Sequence, residues 1–263
     1  QTKPRTADHL PSLDGLRAIS IALVLLGHLG GTRGFARLNL GVGDYAHLGV
    51  VVFFVISGFL ITRLLLVEHT KKGQISLKLF YARRALRLFP AAYVYLACVS
   101  LLSVAGFVHL EARDIWHAAT YTVNYLPGLG HWEIGHLWSL SVEEQFYLLW
   151  PAMVLLLGPR RAWMGAALAF VACPLTRFVI VRFFPHALPG VDETFETVAD
   201  TLATGCLLAL FRSRLDARAT FVRIQSHPLA PLAAFAGALG VFQFQAHVTF
   251  SSIVGETLVN VLL

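Results

Sequence analysis

Charge is what this sequence has least of. Only 14% of its 263 residues are Asp, Glu, Lys or Arg, where soluble domains carry about a quarter. With 56% hydrophobic residues and a mean hydropathy of +0.65, that scarcity excludes an ordinary soluble domain and predicts a polytopic membrane protein. Cysteine is scarce too. Cys98, Cys173 and Cys206 each stand alone within an apolar run, so neither a disulfide framework nor a metal-ligand spacing is present; they read as small core residues. Low-complexity segments and internal repeats are absent, and with them the pseudo-symmetric halves that many transporters show. The polar stretch 1–11 lacks the layout of a signal peptide, so the first apolar run is expected to be a retained span. Leu263 ends the sequence inside an apolar stretch, from which a C-terminal truncation is expected.

The charge that is present is basic, +6 net with a pI near 9.5. Its distribution argues against nucleic acid, because the basic residues fall in short stretches between apolar runs. The expected spans are 16–29, 46–67, 88–108, a helix running to 157, 162–184, 198–211, 229–244 and 250–263, seven to eight in an all-α transmembrane bundle. Pro90 then lies in the first turn of its span, where its missing N–H is harmless. Residues 115–126 are too short and too polar for a crossing of about 20 residues, and read as re-entrant, interfacial or a short tilted span. If the N-terminus is cytoplasmic and 115–126 does not cross, 16 of the 21 Lys and Arg fall inside, a bias of the sign that sets membrane orientation. The loops 68–87, 158–161 and 212–223 are then cytoplasmic; Arg33, Arg37, Arg113 and Arg182 lie outside, and Arg177 within the membrane.

Two clusters carry candidate chemistry. Arg17 opens the first span and His28 lies eleven residues on, nearly on the same helix face and roughly 16 Å away. A titratable group in such a segment is costly and points to function. Glu143 and Glu144 lie in the first turns of a helix entering from the outside, at about the depth expected for His28. A buried His–carboxylate pair is a general-base arrangement for activating a hydroxyl, while an acidic helix start is also favoured by the helix dipole alone. At the inner side Arg83, Arg84 and Arg87 precede the third span. Arginine clusters grip phosphate in bidentate fashion, although plain positive-inside charge and anionic-lipid contact account for them equally. Ser57-Gly58 reads either as close helix packing or as room for a substrate. Trp138 reads as an aromatic-belt residue or an acceptor contact.

Four blocks then resemble one family. They are Leu13-Asp14-Gly15-Leu16-Arg17-Ala18 with His28; Val52-Phe53-Phe54-Val55-Ile56-Ser57-Gly58-Phe59-Leu60; Phe80-Tyr81-Ala82-Arg83-Arg84-Ala85-Leu86-Arg87; and His136-Leu137-Trp138-Ser139-Leu140-Ser141-Val142-Glu143-Glu144-Gln145-Phe146-Tyr147. In order and spacing they are similar to the membrane-bound acyltransferase-3 family, the O-acyltransferases of cell-surface carbohydrates. Residues 200–210 resemble a weaker family pattern. The resemblance implies a single acyltransferase-3-like domain over 1–263, about ten spans in the full protein, and a multi-pass place in a bacterial inner (plasma) membrane with a cytoplasmic N-terminus. It implies acyl-CoA, most commonly acetyl-CoA, as co-substrate rather than a permanently bound cofactor. A carbohydrate or glycoconjugate hydroxyl is the implied acceptor. His28 is implied as the catalytic histidine with Glu143 as its acidic partner, and Arg17, Arg84 and Arg87 as donor-side residues; Ser57, Trp138 and Glu144 are the acceptor-side candidates. Beside these two substrates the lipid bilayer is the expected partner; no metal and no nucleic acid are expected. The rival reading is a transporter or channel for a small anion or acyl group, since intramembrane His, Arg and Glu also mark transport pathways.

Overall fold

The computed structural model describes residues 11–29, 45–184, 186, 190–227 and scattered positions from 229 to 260. Among the described residues the chain is helical and has no strand. The helices are α1 (Pro11–Leu29), α2 (Tyr45–Lys72), α3 (Leu77–Val104), α4 (Ala112–Ala119), the one-turn α5 (Trp132–Gly135), α6 (Leu137–Leu157), α7 (Ala162–Phe183), α8 (Phe195–Asp216) and α9 (Ala219–Ser226). The all-α class expected from the sequence is therefore present. Four helical segments among the described residues are long and apolar enough to cross a membrane: Ala46–Lys72, Leu77–Val104, Trp132–Leu157 and Ala162–Phe183. The expected positions of Arg33 and Arg37 and most of the last two apolar runs lie outside the described residues.

Helices α2 and α8 form the centre, with α1 and α7 on their flanks. Glycine sets the α2–α8 crossing. A Cβ at Gly58 would fall 2.0 Å from the Leu202 carbonyl oxygen, and one at Gly205 would fall 2.0 Å from that of Val55. The backbones can pack that closely only because both side chains are hydrogen. Around the crossing Phe54, Ile61, Leu65, Val142, Trp150, Val154 and Leu202 make one core. Trp150 satisfies its indole N–H on Thr62 Oγ1 at 2.9 Å. The opposite faces of α1, α3 and α7 expose large apolar side chains such as Ile19, Leu26, Leu86, Val94, Leu101 and Leu168, as helices against lipid do.

Two stretches depart from the sequence expectation, 68–87 and 212–223. The basic stretch 68–87 is a tight helical hairpin rather than a loop. Helix α2 runs on to Lys72 and α3 starts at Leu77, capped by Ser76 Oγ accepting from the Leu79 N–H. Gly73, at φ +72°, makes the turn. Arg83, Arg84 and Arg87 thus stand on α3, where straight side chains are good helix formers, and Pro90 falls in the helix interior instead of its first turn. For the same reason Arg212 and Arg214 lie on α8 and Arg223 on α9. Between α3 and α6, residues 115–126 fold as the end of α4 and a 3-10 turn. At 8 residues, α4 is only about 12 Å long, too short to cross. It is tied to α3 by Tyr93 Oη donating to the Ala119 carbonyl (3.0 Å), and the 3-10 turn is tied to α6 by paired amides of Asn124 and Gln145 (2.9 and 3.3 Å).

Candidate active site

Helices α1, α2, α3 and α6 enclose a cavity of about 370 Å³. Its walls are apolar, from Val24, Leu25, Phe53 and Leu88 among others, with Ser20, Ser139 and Glu143 as the polar exceptions. A volume of this size lies in the usual range for small-ligand sites, about 300–1,000 Å³. Along α1 the lining residues Ser20, Ile21, Val24 and Leu25 fall between Arg17 and His28. The two sequence-predicted residues therefore bracket the cavity from either end of one helix.

His28 occupies the last turn of α1 and is exposed. Its Nδ1–H donates to the Val24 carbonyl at 2.9 Å. That bond selects the neutral tautomer whose Nε2 carries the free lone pair. Arg17, at the other end, lies within 3.9 Å of Asp14 through Nη1, while its Nε is buried and has no partner.

Glu143 is buried at 7% exposure. Its Oε1 accepts from Ser57 Oγ at 2.5 Å and from Tyr147 Oη at 3.1 Å. The Arg84 guanidinium lies over the Tyr147 ring at 4.7 Å and the Phe80 ring at 5.7 Å, a cation–π arrangement that holds a positive charge beside the carboxylate. Arg17 and Arg84 are both charges that Glu143 senses. Gly58 thus serves helix packing, as one of the two readings had it, while Ser57 does what neither reading named and donates to Glu143. Trp138 stacks on His47 at 6.4 Å and meets Phe54 edge-on at 6.1 Å, lying next to the cavity-lining Ser139. Glu144 leaves Oε1 buried without a partner. Arg87 is exposed on α3.

His28 and Glu143 face the same region without a hydrogen bond between them. His28 interacts electrostatically with His136, the residue preceding α6, and Glu143 lies seven residues further along, roughly 10 Å down the helix. Among the described residues no cluster of His, Cys, Asp and Glu could hold a metal ion.

Sequence reasoning missed a second buried charge site. Arg177 of α7 and Asp200 of α8 are both fully buried and pair at 2.8 Å. The guanidinium also donates to the Ile253 carbonyl (3.0 Å), the Thr197 carbonyl and Thr257 Oγ1 (2.7 Å). An arginine within an apolar run is a signal that a partner carboxylate exists, but nothing in the spacing identified Asp200.

The comparisons agree with this architecture. A family model described as an acyltransferase domain matches residues 10–261, and the chain belongs to this acyltransferase-3 family. It is 36% identical over 223 residues to the peptidoglycan O-acetyltransferase OatA of Listeria monocytogenes, an alignment covering 76% of this chain and 34% of that protein. It is 39% identical over 171 residues to the putative O-acetyltransferase SACOL0978 of Staphylococcus aureus, covering 59% and 26%. With the O-acetyltransferase OatA of S. aureus the identity is 32% over 217 residues, 76% of this chain and 34% of that one. The alignments thus cover about a quarter to a third of the length of these curated relatives. No solved structure matches it.

Proposed function

We propose that this chain is the membrane domain of an O-acyltransferase that moves an acetyl group from acyl-CoA to a carbohydrate hydroxyl. The observation that carries the reading is the cavity along α1, with Arg17 at one end, His28 at the other and Glu143 in its wall. Arg17, Arg84 and Arg87 take the phosphates of a cytoplasmic donor, for which guanidinium groups are suited. The pantetheine arm lies along the apolar wall between Ser20 and Leu25, and the thioester reaches the level of His28. There the Nε2 lone pair of His28 takes the proton of the acceptor hydroxyl. The oxygen attacks the thioester carbonyl, the C–S bond breaks, and the CoA thiolate leaves and recovers the proton. Glu143 contributes negative charge that stabilises the imidazolium formed in that step. The setting is the inner membrane of a bacterium with the N-terminus in the cytoplasm, as the excess of Lys and Arg at one side supports.

The test is transfer of radiolabelled acetyl from acetyl-CoA to the lipid or glycan fraction by membranes holding the full-length protein. Transfer by wild type and its loss in His28→Ala are expected. Equal transfer by a well-folded His28→Ala protein removes the assignment. Passage of label across the bilayer without its attachment to any acceptor favours a transporter.

A further inference from the structure

Hydroxyl groups within these helices mostly spend their proton on their own backbone. Ser20, Thr62, Ser141 and Thr176 each donate to the carbonyl four residues back, at 2.7 to 3.0 Å, a common resting place for a mid-helix hydroxyl. Ser57 does otherwise. Its Oγ crosses from α2 to α6 and donates to Glu143 Oε1 at 2.5 Å. Tyr147, one turn beyond Glu143 on α6, donates to that same oxygen at 3.1 Å. A carboxylate offers two oxygens and about four lone-pair sites. Both donors nonetheless take Oε1, and no hydrogen bond among the described residues reaches Oε2.

The donors are themselves held. The Tyr147 side chain is buried at 6% exposure, with the Arg84 guanidinium 4.7 Å over its ring. Ser57 is buried at 3% in the residue before the glycine that sets the α2–α8 crossing. Two charge-assisted bonds from two different helices leave the carboxylate one orientation. Glu143 lines the cavity and neither of its donors does. We propose that Ser57 and Tyr147 are positioning residues for acetyl transfer: by holding Oε1 together they present Oε2 of Glu143 to the substrates in the cavity. Each acts through the carboxylate, as a shell that supports a site does. Their part in transfer rests on the O-acyltransferase reading above; the hydrogen bonds do not. The competing account is a strap between α2 and α6 that serves stability alone.

The experiment uses the full-length protein in nanodiscs, with acetyl-CoA and a soluble N-acetylglucosamine oligosaccharide. Wild type is compared with Tyr147→Phe and Ser57→Ala, each made alone and in a Glu143→Gln background. Loss of one charge-assisted bond is expected to lower kcat about 10-fold or more, with KM for acetyl-CoA moved less than about twofold. In the Glu143→Gln background the same substitutions are expected to change kcat less than about twofold, because residues that act as a unit do not add. Unchanged kcat in both single variants, or equal losses with and without Glu143, makes the bonds a strap and overturns the proposal. Tyr147→Phe removes one oxygen and keeps the packed ring, so it carries the test if Ser57→Ala fails to fold. If wild type transfers no acetyl, the O-acyltransferase reading fails separately. Isotope-edited infrared spectra of the Glu143 carboxylate, assigned by difference against Glu143→Gln, then decide the positioning. A stretching band shifted in Tyr147→Phe upholds it, and an unmoved band overturns it.

Discussion

The two buried charge sites of this protein obey opposite rules. At the α7–α8 junction, Arg177 distributes its N–H groups over Asp200, Thr257 and two backbone carbonyls, and both side chains are fully buried. In the α1–α3–α6 region, Arg17 Nε and Glu144 Oε1 are buried with nothing to bind, and Glu143 lines an open cavity. A saturated network fixes one arrangement of helices. An unsaturated one costs stability unless something else completes it. Polarity inside the bundle therefore serves the scaffold in one place and, under the proposed function, is completed by the substrates in the other.

That contrast can be broken most decisively by removing the proposed base. His28→Ala is expected to lower acetyl transfer by about 10²–10⁴-fold with little change in Tm, since the histidine is exposed and bonds only Val24. The double variant with Glu143→Gln should be little worse than His28→Ala alone if Glu143 acts through the imidazolium; losses that multiply would give Glu143 an independent task at Ser57. The saturated site should behave in reverse. Arg177→Met leaves Asp200 buried without its cation and is expected to cost about 3–5 kcal/mol of stability, read as a lower Tm in detergent. Replacing both, Arg177→Met with Asp200→Leu, should recover much of that loss. A double variant as unstable as the single would mean the pair does more than balance charge. Smaller still, Arg84→Ala should weaken acetyl-CoA binding by about 1.5–3 kcal/mol, measured by titration calorimetry, with lysine restoring part of it. Unchanged affinity would leave Arg84 to orientation in the membrane alone.

The same division explains what the sequence could reveal. Hydropathy marked the apolar helices because the bilayer imposes a length and a composition on each. The blocks around Arg17, Ser57, Arg84 and Glu143 were visible as residues, and the structure places Arg17, Ser57 and Glu143 around or beside one cavity. The loop assigned to 68–87 was read from charge, which says which side of a membrane a segment favours and nothing about whether it is coiled; Ser76 and Gly73 decided that locally. Arg177–Asp200 stayed hidden because its partners come from α7, α8 and residues 253–257. The expected equal depth of His28 and Glu143 rested on helix ends, and ends do not report how far two helices slide past each other.

The reciprocal contact of Gly58 with Leu202 and of Gly205 with Val55 has a mechanical consequence. Each glycine sits against the other helix's backbone, so α2 and α8 can neither slide nor roll without a steric collision. The crossing behaves as a fixed pin. Helix α1 is held to α2 in the same way, since a Cβ at Gly49 would fall 2.6 Å from the Ser20 carbonyl oxygen and one at Gly27 would fall 2.7 Å from the Ala46 nitrogen, so a methyl group added at Gly58 would jam one of two linked pins.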